Sequence, residues 1–388
     1  MARKKKEDVE NVEQTVKESK DAKEQATSDK KASTPQKEVK VPEKKTEKKE
    51  EMKAEVKPMD KKIQEAKLEL SEEQKKAKEE EEKKLKEMEE EEKKKKIEAL
   101  KKAGSIHKQV MEYIKPMVKP GTKVLDLCEA AEAKILELGG MIGFPTNIAI
   151  NEVAAHYTSP LNDESTIKED DVVKVDVGVA VDGWVADGAI TINFNKSERC
   201  KNLVLAVDTA IKAGLQLIKP GVLTKEIGKK TEEIIKQFGY YPISDLTGHE
   251  IKQYELHSGK IIPSTKNGPL VKFEEGEVYG FEVFASTGVG QVKSSSNTYI
   301  YSLKRFAQPK IRNKYGRDIL KYTAEKYQTL PFSEREILKQ YQLGRFGLKE
   351  LIDQGVLYRH FVIREEGAYI SQAEVTILIT ETGYELIC

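Results

Sequence analysis

The sequence predicts an α+β protein made of two like halves behind a charged arm. Three observations predict it: a sharp divide in charge, an internal echo, and a hairpin signal between the two copies of the echo. Of the 388 residues, the first 100 hold 30 Lys and Arg and 29 Asp and Glu, and no Phe, Tyr or Trp occurs before Tyr113. Such a stretch has too little apolar area to offset its chain entropy and cannot build a core of its own. The remainder has ordinary globular composition.

In chain order, residues 1–70 read as disordered. A capping box at Ser71 to Gln74 marks the start of a solvated helix. Blocks of Glu and Lys about four apart then supply i,i+4 pairs, each worth about 0.2–0.5 kcal/mol. No apolar a/d seam is present, so a coiled coil is not expected. The arm, residues 1–95, serves either as a solubilising tail or as a contact for a large charged partner such as a ribosome. Its basic runs, residues 4–6 and 93–96, also resemble nuclear-import signals.

The echo pairs VKPGTKVLDLCEAAEAKILELGGMIGFP (residues 118–145) with IKPGVLTKEIGKKTEEIIKQFGYYP (residues 218–242). Each copy has KPG, an amphipathic helix, a terminal Gly and an aromatic before Pro. His156 follows the first copy and His249 the second. A duplicated α+β unit around a pseudo-twofold axis accounts for this order. A site between the halves would draw residues from both.

Between the copies lies DDVVKVDVGVAVDGWVADGAITINF, two strand-forming runs around Asp182-Gly183. With those two as turn residues, Val181 faces Trp184, Gly178 faces Asp187 and Asp176 faces Ala189. Asp176 and Asp187 then become diagonal neighbours on one face of an apolar ribbon. Two carboxylates so placed require a proton or a cation between them, unless that face is solvated. His249, Glu282 and Glu374 likewise interrupt apolar strands. Four converging carboxylates and an imidazole in a cleft would need cations.

No apolar run approaches the roughly 20 residues of a membrane span, and the start, MARKKKEDVE, lacks a signal peptide's apolar stretch. Cys128, Cys200 and Cys388 are scattered and odd in number, which fits cytosolic thiols. A formal net charge of +1 does not suit a globally basic nucleic-acid binder, and no sequence-specific nucleic-acid contact is expected.

The motifs GFPTNIAINEVAAHYTSP, KVDVGVAVDGWVADGAIT, LTGHEIKQYELHSGKIIP, FEEGEVYGFEVFASTGVG and AYISQAEVTIL resemble the type 2 methionine aminopeptidases, of the pita-bread fold shared with prolidases and creatinase. The resemblance covers residues 99–388. It implies a pita-bread catalytic domain over residues 96–388 with a helical insert at 303–362, where 92 residues separate Glu282 from Glu374 and type 1 enzymes have a short segment. It implies Asp176, Asp187, His249, Glu282 and Glu374 as ligands of two divalent cations (Co, Mn, Fe or Zn), with Asp187 and Glu374 bridging. His156 and His257 would contact substrate and stabilise the reacting peptide. Phe144 and Leu256 would line a methionine pocket, and Glu282 would shuttle the proton of a hydroxide held between the metals. The implied activity is removal of N-terminal methionine from nascent polypeptides with a small second residue, by a cytoplasmic monomer.

One departure stands out. Residues 358–361, YRHF, replace the family's Tyr-Pro pair, so either Tyr358 or His360 forms the far pocket wall. Two rival readings are a pita-bread relative that has lost catalysis and binds RNA or protein, and an X-Pro peptidase. The first is opposed by the full ligand set. The second is opposed by the insert and by the absence of a His shortly before His249.

Overall fold

The computed structural model describes residues 58–305 and 310–388. The chain's contacts divide it into Met1–Lys76 and Ala77–Cys388. Helix α1 spans Pro58–Ile114, so the expected start at Ser71 is corrected, as is disorder for 58–70. Pro58 suits the first helical position, and no Pro or Gly follows before Gly104. Glu and Lys are good helix formers, and Ser71 lies inside the helix. Residues 1–57, with the basic run at 4–6, lie outside the described residues.

The arm's expected ion pairs form along α1: Glu80–Lys84 at 2.9 Å, Lys83–Glu87 at 3.8 Å and Glu91–Lys95 at 2.7 Å. The helix then changes character. Ala99, Leu100, Ala103, Ile106, Val110 and Ile114 are buried at helical spacing and join the main core. Lys93 pairs with Glu275 at 2.9 Å, and Lys96 donates to the Gly276 carbonyl at 2.6 Å while lying 4.4 Å above the Trp184 ring. Lys93 and Lys96 of the basic run 93–96 thus take part in docking α1. Gly104 is where the helix meets the last strand: a Cβ there would sit 2.0 Å from the Ile387 carbonyl oxygen.

The echo becomes structure at an offset of one hundred residues. Helix α2 spans Val124–Glu137. Helix α3 spans Glu198–Leu215, and α4, the second copy, spans Thr224–Gln237. The entry turns match as well. Gly121 donates to Ile167 and Gly221 to Phe273; the amide of Val124 bonds Ser165 and that of Thr224 bonds Val271. Both helices end in a left-handed glycine, Gly139 at φ 78° and Gly239 at φ 84°, a conformation that glycine adopts without steric cost.

The helices cover one face of a nine-stranded antiparallel sheet. Its strands are β1 Met141–Ile150, β3 Val172–Val181, β4 Trp184–Asn193, β5 Tyr241–Pro242, β6 Gly248–Lys252, β7 Glu255–Ile262, β8 Val278–Ser286, β12 Ile370–Ile379 and β13 Tyr384–Leu386. The order is β1-β3-β4-β12-β8-β6-β7, with β13 on β12 and β5 on β8. Alternation assigns the faces. Val175, Val177 and Val179 enter the core with α2. Phe281, Val283, Ala373 and Ile377 enter the core with α3 and α4. The residues between them point to the inner face.

A second sheet of four strands has the order β10-β9-β11-β2. It comprises β2 Val153–Ala155, β9 Lys293–Leu303, β10 Phe332–Ser333 and β11 Leu357–Arg364. Three helices interrupt it: α5 Lys314–Lys326, α6 Glu334–Gln340 and α7 Gly344–Asp353. They stand where the sequence places helices within 303–362, but the far end of that segment is the strand β11, not helix. Arg335 on α6 ties this layer to α2 through two bonds to Glu132, at 2.6 and 2.7 Å.

If α1 docks through Gly104, then Gly104→Ala lowers stability by about 1–3 kcal/mol, the usual cost of overpacking. Thermal unfolding should register a drop of several degrees. Leu85→Ala, on the solvated stretch where Leu85 is 55% exposed, should leave the midpoint unchanged.

Candidate metal centre

Strand register brings the five candidate ligands together. The hairpin β3–β4 pairs Gly178 with Asp187 and Asp176 with Ala189, as the two-residue turn requires. Ala189 stands opposite Glu374 on β12, and Glu374 opposite Glu282 on β8. One step along, Gly280 stands opposite both Thr376 and His249 on β6. Residues opposite one another in antiparallel strands project to the same face. Asp176, Asp187, His249, Glu282 and Glu374 therefore share the inner face, and all five line one cavity.

Three of the five stand close enough to share one ion. His249 Nε2 lies 3.6 Å from Asp187 Oδ2 and 3.8 Å from Glu374 Oε1. One ligand atom from each of the three lies within 4.8 Å of the others. Asp176 Oδ1, Asp187 Oδ1 and Glu374 Oε1 are buried without a hydrogen-bond partner. Burial, reinforced by mutual repulsion, pushes the carboxyls of Asp176, Glu282 and Glu374 well above the usual range. The donor set, oxygen-rich with one imidazole, fits divalent cations, and orphaned buried acceptors are what such ions would satisfy. One feature fits less well: His249 Nδ1 also lacks a partner, where a metal-binding imidazole ordinarily donates its second N–H.

Neighbouring side chains set these positions. Strands β4 and β12 share the register pair Ala189–Glu374. Next to it the Thr376 hydroxyl takes over the ladder's role: it accepts from the Asp187 amide at 2.7 Å and donates to the Asp187 carbonyl at 2.8 Å. Gln372 Nε2 reaches Glu374 at 3.2 Å and Glu282 at 3.4 Å. Gly178 accommodates the Phe144 ring, which a Cβ there would meet at 2.2 Å.

The cavity holds about 260 Å³ between the two sheets. Phe144 and Leu256 line it, joined by Ala155, Ile300 and Ile363, and three imidazoles share the wall, His156, His257 and His360. His156 has a left-handed backbone, φ 64°, which costs a non-glycine residue on the order of 1 kcal/mol. Its Nδ1 lies 3.1 Å from the Phe361 carbonyl. A carbonyl only accepts, so Nδ1 carries the hydrogen and Nε2 of the neutral ring is a bare acceptor. Burial holds His156 below the imidazole range. His257 is exposed as a residue and lines the cavity, its ring 4.1 Å from that of His249. Desolvation and the neighbouring imidazoles hold it well below the usual range. Of the two residues left open for the far wall, His360 lines the cavity, while Tyr358 is 57% exposed. His360 bonds the Ser302 hydroxyl at 2.9 Å, and burial pulls it to about 4.

Sequence reasoning missed Thr376, Gln372, Asn147 and Ile300. The first two carried a usable signal, since they lie two residues either side of Glu374 and so share its face. Nothing local marks Ile300, which reaches the cavity from the other sheet.

The profile of Metallopeptidase family M24 matches residues 98–304. A methionine aminopeptidase of Methanocaldococcus jannaschii is 41% identical over 290 residues, 74% of this chain and 97% of that protein. One from Thermococcus onnurineus is 38% identical over 291 residues, 74% of this chain and 97% of that protein. Among solved structures, a thermophilic Arx1 superposes with TM-score 0.67 at 21% identity, covering 76% of this chain and 90% of its own. The methionine aminopeptidase of Thermotoga maritima superposes with TM-score 0.55 at 21% identity, covering 76% and 96%. These two speak to the fold, which is the pita-bread architecture. The chain belongs to the methionine aminopeptidases of metallopeptidase family M24.

Proposed function

We propose that this enzyme is of type 2 and releases methionine from nascent chains with a small second residue, using two divalent cations held by Asp176, Asp187, His249, Glu282 and Glu374. The observation that carries the reading is the set of orphaned carboxylate oxygens at one point of the inner face. Two divalent cations held there would supply an activated water and polarise the scissile carbonyl. Mn, Fe, Co and Zn all suit the donors, and availability decides among them.

The chain's own residues then divide the work. Glu282, the carboxylate on β8, takes the proton of the attacking water and passes it to the leaving amine. His156, with its hydrogen committed to Phe361, offers Nε2 as an acceptor and so receives the N–H of the scissile amide. His257 is then the donor toward the developing oxyanion. Phe144 and Leu256 take the methionine side chain, and His360 closes the far wall. A cavity of about 260 Å³ admits a chain end rather than a folded segment.

Type 2 assignment rests on the helices α5, α6 and α7 between Glu282 and Glu374, the insert within a catalytic domain of residues 96–388. The arm, residues 1–95, is proposed to contact the ribosome in the cytoplasm. Deleting residues 1–95 should leave peptide cleavage intact and abolish co-sedimentation with ribosomes; undiminished co-sedimentation would remove the arm's role.

Asp187→Asn should abolish metal-dependent release of methionine from Met-Ala-Ser, measured as free methionine. Activity near that of the unaltered enzyme would remove the metal reading. His156→Ala should lower turnover by about 10²-fold or more with metal content unchanged by elemental analysis; loss of metal would show that its role lies elsewhere.

A pH dependence follows from the raised carboxyls. Protons and cations compete for the same oxygens, so affinity for Mn²⁺ should rise with pH across the range in which these groups ionise, and binding should release protons. Calorimetry in two buffers of different ionisation enthalpy measures that release. Binding that releases no proton at any pH would contradict the upward shift of these carboxyls.

A further inference from the structure

We infer that Asn147 is a recognition residue for the free α-amino group of the substrate. Asn147 lies on β1 directly opposite Asp176 and lines the same cavity, with only 4% of its surface exposed. Its amide has a defined orientation. One end lies 3.1 Å from the Pro145 carbonyl, and because a carbonyl cannot donate, that end is Nδ2. Oδ1 therefore points the other way, where it is buried and accepts from nothing.

Asp176 Oδ1, on the facing residue, is also without a donor. Directly opposed residues hold their β-carbons about 5 Å apart, so the Asn147 amide and the Asp176 carboxylate are neighbours on the inner face. A buried acceptor left bare is costly. Divalent cations answer for Asp176, but the ligand set is already rich in anionic oxygen and has no need of a neutral amide. A carboxylate oxygen that binds a cation keeps a second lone pair, so the group that serves Asn147 Oδ1 and the Asp176 carboxylate together is a small donor with several N–H bonds. An α-amino group has two or three, set tetrahedrally. An internal peptide nitrogen has one, in the amide plane, and cannot serve both oxygens. The pair therefore selects chain ends and sets how far the first residue enters.

This inference rests on the aminopeptidase reading and extends it to a residue on β1. The test compares binding of methionine with that of 4-(methylthio)butanoate, which lacks only the amine. Each is titrated calorimetrically into the Mn²⁺-loaded full-length enzyme. The unaltered enzyme should prefer methionine. Asn147→Ala and Asn147→Leu should each narrow the preference by about tenfold, the scale of one hydrogen bond to a charged group, with Mn²⁺ content unchanged. An unaltered preference in both variants would overturn the inference, as would a preference lost together with the metal. Binding needs no turnover, so failure of the function reading is scored separately, by whether the unaltered enzyme releases methionine from Met-Ala-Ser.

Discussion

Four carboxylates that cannot all be charged in one buried place are the constraint on which the rest of this molecule depends. Burying a charge without a partner is among the largest penalties a fold can carry. Here the sheet register gathers Asp176, Asp187, Glu282 and Glu374 on a single inner face. The neutral donor Gln372 reaches Glu282 and Glu374 at 3.4 and 3.2 Å, which leaves most of their burial uncompensated. The chain by itself resolves the conflict by holding protons on carboxyls whose affinity for them is raised. Divalent cations at the same oxygens would resolve it without protons.

The fold places this conflict with little freedom. Two copies of one helix-led unit, one hundred residues apart, send strands into a common sheet. Helices cover the outer face with Val, Ile and Phe, and the period of two then fixes what points inward. The second sheet closes the space from the other side and contributes Ile300, His360 and Ile363 to its wall. Both layers build the pocket: the large sheet carries the five candidate ligands together with Phe144 and Leu256, and the small sheet supplies Ile300, His360 and Ile363.

Much of this was legible in the sequence, for identifiable reasons. The Asp182-Gly183 turn fixes the register of its hairpin, so the Asp176–Asp187 relation could be derived residue by residue. The echo could be read because helix and capping glycine recur together. The extent of α1 could not. A capping box at Ser71 is a local signal, and it yields to the high helix propensity on both sides. The buried stripe from Ala99 to Ile114 sits behind so much Glu and Lys that its periodicity is hard to see. Gly104 reads as a stop in the sequence, yet it is kept because the chain near Ile387 passes too close for a β-carbon. Ile300 is of another kind. Its place in the wall arises from which strand lies next to which, and no window of sequence contains that.

The most direct measurement is anomalous diffraction from crystals grown with Mn²⁺, recorded near the manganese absorption edge. The account expects two peaks roughly 3.5–4 Å apart, within bonding distance of Asp176, Asp187, His249, Glu282 and Glu374. Peaks confined to other parts of the molecule, or a metal-loaded crystal in which these five residues bind nothing, would contradict it.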